Sequence, residues 1–199
     1  VTVRLNVISS DIGRADEVFV ELIRDDSLIP GLLLTTLLNG VDSTIDRIGA
    51  GTAYVSFEIT ADGLDSPLRR ENVFFSGSDI AVVSLTEILE CVRLLLDNDF
   101  QDVEILDIKV DVTVDSVRRT AVVEEVVLTN SVVEPGDVLE VRVLLRPYRG
   151  EPWVETVEIQ IPVNMAPGYA VLTVHGGTDF ALERAFDYET YEYYIDEME

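Results

Sequence analysis

From Val103 the hydropathy of the chain alternates without a break: Leu106, Ile108, Val110, Val112 and Val114 stand against Asp107, Lys109, Asp111, Thr113 and Asp115. Side chains of a strand point alternately to opposite faces, so this run is a β-strand with one face in a core and the other in water, the pattern of an antiparallel sheet. The rest of the chain can supply that core, since 47% of its 199 residues are hydrophobic. It also carries 38 Asp and Glu against 14 Lys and Arg, a net charge of −24. A disordered acidic tail lacks such an apolar fraction, which makes this a folded protein. A surface of that charge repels polyanions and excludes nucleic acid as a partner. No apolar run reaches the length of a membrane span.

Upstream of this strand the periods are mixed. Val1, Val3, Leu5 and Val7 alternate, Val18 to Ile23 forms a second strand, and Thr52 to Thr60 and Asn72 to Phe75 form two more, with a polar turn over Leu64 to Arg70. Pro30 starts a short helix with an apolar stripe of Leu32, Leu33, Leu34, Leu37 and Leu38, and Asn39-Gly40 ends it. Ser78-Asp79 caps a second helix through Ile80, Val83, Ile88, Cys91, Val92, Leu95 and Leu96, stopped at Asp97-Asn98-Asp99. Downstream, strands at Thr120 to Leu128, Val138 to Leu145, Trp153 to Ile161 and Tyr169 to Val174 are separated by turns at Glu134-Pro135-Gly136-Asp137, Arg149-Gly150-Glu151-Pro152 and Ala166-Pro167-Gly168.

These patterns predict an α+β N-terminal domain over 1–117, followed by an antiparallel immunoglobulin-like β-sandwich over 118–178. About 60 residues is short for a complete sandwich, so the module is expected to borrow the Val103 to Val114 strand or the chain's end. Residues 179–199 hold eight acidic residues and one arginine, but also Phe180, Phe186, Tyr188, Tyr191, Tyr193 and Tyr194. Six aromatics suit a segment packed along a neighbouring surface, including that of a second copy in a homo-oligomer. The chain begins at Val1 rather than Met with no signal pattern, as expected of an excised or processed piece.

Little of the sequence speaks for catalysis. His175 is the only histidine; a Ser-His-Asp triad would have to be built on it, and no Gly-x-Ser-x-Gly elbow accompanies it. Gly49-Ala50-Gly51 is a lone glycine pair, not a phosphate-binding loop. Asp97, Asp99 and Asp102 space oxygen ligands as a calcium site does, without the glycine and distal glutamate of an EF-hand. Tyr148 and Trp153 are candidates for a sugar-stacking platform, although Trp153 also fits an inward register with Val157, Ile159 and Ile161. Cys91, the single cysteine, precludes an intrachain disulfide and reads as a buried inert thiol.

Several stretches together resemble a known family: Ile45-Asp46-Arg47-Ile48-Gly49-Ala50-Gly51, Arg70-Glu71-Asn72-Val73-Phe74, Arg119-Thr120-Ala121-Val122-Val123, Val133-Glu134-Pro135-Gly136-Asp137 and Leu144-Leu145-Arg146-Pro147-Tyr148-Arg149-Gly150. Over about 45–177 they resemble the non-catalytic region downstream of the peptidase domain in SpoIVB-type (S55) serine peptidase family proteins. That resemblance implies an accessory region rather than an enzyme, with no catalytic residue carried over, and a secreted or extracytoplasmic location; no cofactor is expected apart from the calcium ion that the spacing of Asp97, Asp99 and Asp102 allows. Its partner would be the upstream peptidase domain or an envelope protein. The alternatives are a carbohydrate- or envelope-binding module and a self-assembly module.

Overall fold

The computed structural model describes residues 1–174. The chain divides into two compact units, Val1–Arg119 and Thr120–Glu199. His175 and the acidic aromatic stretch 179–199 lie outside the described residues.

The first unit is a mixed α/β fold. Strands β1 (Thr2–Ser9) and β2 (Arg14–Glu21) form a hairpin, and helix α1 (Ile29–Ile45) follows it. A second hairpin, β3 (Gly51–Asp62) with β4 (Leu68–Ser76), leads to helices α2 (Ile80–Ser84) and α3 (Thr86–Leu96) and to the last strand, β5 (Glu104–Asp115). The sheet order is β2-β1-β5-β3-β4. Two hairpins, each trailed by helix, therefore flank β5. That strand pairs parallel with β1 and antiparallel with β3, so the purely antiparallel setting its alternation suggests is corrected to a mixed one.

All three helices lie on one face. Val3, Leu5 and Val7 of β1, Val55 and Ile59 of β3, and Ile108, Val110 and Val112 of β5 share a single cluster with Leu33, Leu37, Ile80, Ile88 and Val92 from the helices. α1 covers β1 and β2, and α2 covers β3 and β4. Burying large aliphatic side chains of this kind contributes about 1.5–3 kcal/mol each, and this cluster is the unit's main source of stability.

Local departures from the sequence expectation have identifiable causes. Asn39-Gly40 does not end α1, because Gly40 serves packing instead: a Cβ there would run into Leu5 Cδ2 and crowd Val18. The helix runs on to Asp46, whose left-handed φ of 51° closes it. The expected single helix after Ser78-Asp79 is broken at the buried Leu85, although Asp79 does cap its start, accepting from Ala81 N at 3.1 Å. Residues Leu68 to Arg70, expected as turn, belong to edge strand β4, which extends the strand expected over Asn72 to Phe75 at both ends. Leu106 is displaced from the core side by a bulge opposite Thr60 and Ala61, and Ile105 takes the buried place. Cys91 is half-buried rather than buried; desolvation, then the Glu87 carboxylate, push its thiol up.

Asp42, on α1, has its Oδ1 buried without a hydrogen-bond partner among the described residues. Burial, and after it the Asp79 carboxylate, push its carboxyl above the ordinary 3.8. The folded state thus holds that proton more tightly than the unfolded chain, and stability falls as pH rises through the interval from 3.8 to the raised value. Asp42→Asn is expected to be more stable than wild type at pH 7, with the difference vanishing once pH falls below the ordinary carboxylate range. Urea melts of the two proteins across pH 3–7 check this, and an Asn variant less stable at pH 7 would contradict it.

In the second unit β6 (Ala121–Leu128), β7 (Val138–Pro147) and β8 (Trp153–Gln160) form one antiparallel sheet in that order. Its buried centre is Leu139, Val141 and Val143 of β7, with Val123, Val133, Ile159, Ile161 and Val174 packed at the margin. Gly136, at φ +94°, makes the expected turn after Pro135, and Asp137 N donates to Glu134 O at 3.0 Å. Residues 169–174 form no strand, contrary to expectation; of the two elements expected to complete the module, the Val103 to Val114 strand is instead the centre of the first sheet, and the chain's end lies outside the described residues.

Candidate functional site

The helix-free face of the five-stranded sheet is the most organised surface of the first unit. In-register pairing sorts its side chains into rows that run across the strands. One row, Phe19, Arg4, Lys109, Glu58 and Arg69, holds the cations. Glu58 sits among them, taking Lys109 Nζ at 2.9 Å on Oε1 and Arg69 Nε at 2.6 Å on Oε2. Those bonds, Lys109's first and Arg69's second, hold the Glu58 carboxyl below its ordinary value.

The next row, Glu17, Asn6, Asp111, Ser56 and Glu71, is acidic. Asn6 Nδ2 donates to Asp111 Oδ1 at 2.7 Å. No cation pairs with Glu17, Asp111 or Glu71 among the described residues. Beyond it lies an apolar row of Ala15, Ile8, Thr113, Tyr54 and Val73. Ile8 is 48% exposed, Tyr54 42% and Val73 51%. Between the acidic and apolar rows, over β5, β3 and β4, lies an open cleft of about 500 Å³ lined by Tyr54, Ser56, Glu71, Asn72, Val73, Asp111 and Thr113.

The end of this face is held by a small polar lock. Arg119 donates through Nε and Nη2 to Asp115 Oδ2 at 2.9 and 2.6 Å, and Asp115 Oδ1 accepts from Val117 N at 2.8 Å. Buried Thr52 donates through Oγ1 to Val117 O at 2.8 Å and accepts from Arg119 N at 3.0 Å. Arg118 lies over the Phe75 ring, 4.7 Å from its centroid.

The residues singled out in the sequence fall elsewhere. Asp97 closes α3, and Asn98 Oδ1 accepts from Phe100 N at 3.0 Å. Among the described residues no three carboxylate, thiol or imidazole groups converge as a metal site does, so Asp97, Asp99 and Asp102 are not gathered around one point. Trp153 opens β8 on the side of the buried centre, yet is 43% exposed, with its indole N–H donating to Glu155 Oε2 at 3.4 Å. The inward core position expected for it is corrected to a half-exposed margin, because the loop residues Val133, Ile161 and Val174 gather around the Leu139 centre. Tyr148 lies at the turn after β7, with Arg149 5.0 Å from its ring centroid. In the Gly49-Ala50-Gly51 stretch, a Cβ on Gly51 would meet Asp115 O at 2.7 Å, so that residue serves close backbone packing.

Sequence reasoning missed the face's principal residues, Tyr54, Glu71, Val73 and Asp111. A signal for one of them exists: in β3 the inward set Ala53, Val55, Phe57 and Ile59 leaves Tyr54 as the lone aromatic among Ser56, Glu58 and Thr60. No helix among the described residues is long and apolar enough to cross a membrane. No family model matches the chain, nor does any curated protein or solved structure.

Proposed function

We propose that this chain is a non-catalytic interaction module whose working surface is the helix-free face of its five-stranded sheet. One observation carries the proposal: a contiguous sheet face presents Ile8, Tyr54 and Val73 to solvent beside the carboxylates of Glu17, Asp111 and Glu71, which no cation pairs among the described residues. Exposed apolar residues grouped in this way mark surfaces that meet another macromolecule, whereas scattered ones do not. The resemblance in 45–177 makes the peptidase domain of an exported S55-type protein the partner to test first, with this chain positioning or regulating it. On the same reading the three-stranded sheet of the second unit is part of an immunoglobulin-like module.

A photoreactive residue at position 73, on the face, is to be compared with one at position 94, since Leu94 is exposed on α3 away from it. With a purified S55-type peptidase domain as bait, position 73 is expected to form the adduct and position 94 not.

A further inference from the structure

The charge pattern of the helix-free face narrows what can dock on it. Resting on the reading of that face as a contact surface, we infer that it takes a cationic polypeptide segment, with its Lys or Arg side chains over the acidic row and its aliphatic side chains on the apolar row.

Three observations lead there. First, carboxylates outnumber the cations left over on the face: Lys109 and Arg69 both go to Glu58, leaving Arg4 as the one cation of its row outside an ion pair, while Glu17, Asp111 and Glu71 in the adjoining row have no cationic partner among the described residues. An approaching anion would meet those carboxylates inside a chain of net charge −24, whereas an approaching cation would be drawn by both. Second, the acidic and apolar rows are two residues apart along every strand, roughly 7 Å, which is the lateral reach of neighbouring side chains on one helix or strand. Third, Tyr54 stands beside Ser56 at the floor of the cleft, with Asp111 and Glu71 on the strands either side, roughly 10 Å from one another. An alkylammonium or guanidinium group seated there would have a carboxylate to each side and an aromatic ring next to its stem. Neither a lipid surface nor a glycan supplies both a line of cations and a line of aliphatic groups; a basic amphipathic protein segment does. Five strands at about 4.8 Å spacing give a row of roughly 19 Å, the length of a helix of about 13 residues.

The probe is a synthetic 13-residue helical peptide with leucine along one lengthwise stripe and lysine along the next, and its control carries glutamate in place of lysine. Calorimetry with the full chain is run at 0.15 M salt, where the Debye length is about 8 Å and diffuse attraction is largely screened. The lysine peptide is expected to bind and the glutamate peptide not. Glu71→Gln with Asp111→Asn is expected to weaken binding about tenfold or more, and Val73→Ser several-fold, while Asp97→Asn with Asp99→Asn, which remove the same charge elsewhere, change it less than about twofold. These positions are exposed, so unfolding midpoints close to wild type confirm that the variants fold.

Equal loss from the Asp97 and Asp99 pair would show attraction by net charge alone and overturn the inference. So would equal binding of the two peptides, or none. If the lysine peptide fails while position 73 still captures the peptidase domain, the interaction face stands and only its cationic partner falls.

Discussion

Leu5→Ala is expected to destabilise the first unit by about 2–5 kcal/mol, the usual cost of emptying a fully buried leucine site. Leu5 is completely buried at the centre of β1, and α1 comes so close above it that only a glycine fits at position 40. The two residues are therefore coupled, and the coupling predicts a change of sign. In the wild-type background Gly40→Ala gains up to about 1 kcal/mol of helix propensity but forces a methyl group against Leu5 and Val18, an overpacking that costs about 1–3 kcal/mol. It should destabilise. In the Leu5→Ala background the obstructing Cδ2 is gone, and the same substitution should stabilise by about 0.5–1 kcal/mol. Urea unfolding of the four proteins measures the cycle. Gly40→Ala effects of equal sign in both backgrounds would show that Gly40 is not there to admit Leu5.

Thr52→Val should cost about 1–3 kcal/mol although it preserves the shape of the side chain. Thr52 is fully buried, and its hydroxyl alone links β3 to Val117 O and Arg119 N, the last backbone of the first unit. Valine leaves both groups without that partner. Because the lost bonds hold a chain segment at the unit's edge, part of the loss should appear as local opening. Trypsin cleavage after Arg118 or Arg119 is expected to accelerate about tenfold, the change a loss of about 1.4 kcal/mol gives when opening precedes cleavage. Unchanged cleavage with lowered global stability would place the role of Thr52 in the core rather than in the exit of the chain.

Much of the first unit can be read from its amino acids, and the exceptions share a cause. β1, β3 and β5 alternate because one of their faces is covered by helices and the other is not, which is the condition for a period of two to appear. The first part of β4 escaped because it is an edge strand whose Arg69 to Glu71 are exposed on both sides, leaving no apolar alternation to see. The bulge at Leu106 escaped for the opposite reason, since Leu106 continues a perfect alternation that only the pairing with β3 interrupts. Gly40 reads as a helix end in isolation; what it does depends on Leu5, 35 positions away. In the second unit the strands follow the alternation of Val138 to Leu145 and Trp153 to Ile161 closely. Trp153, however, shares the register of the core without its burial.

The candidate face was less legible than the fold that carries it. Alternation identifies Asp111 and Tyr54 as outward-facing but is silent on which strands are neighbours. Glu71 and Asp111, 40 positions apart, come to flank Ser56 only because β5 inserts beside β3. The sequence motifs that suggest metals and sugars belong to other elements: Asp97 to Asp102 follow the end of α3, and Tyr148 with Trp153 are part of the second unit.

Whether the helix-free sheet face is where this chain meets its partner is decided by the crosslinking comparison between positions 73 and 94. An adduct with the S55-type peptidase domain is expected from position 73, lost when unlabelled chain competes and when Tyr54 is replaced by serine, and none from position 94. Equal adducts from both positions, or an adduct from position 94 alone, would contradict it.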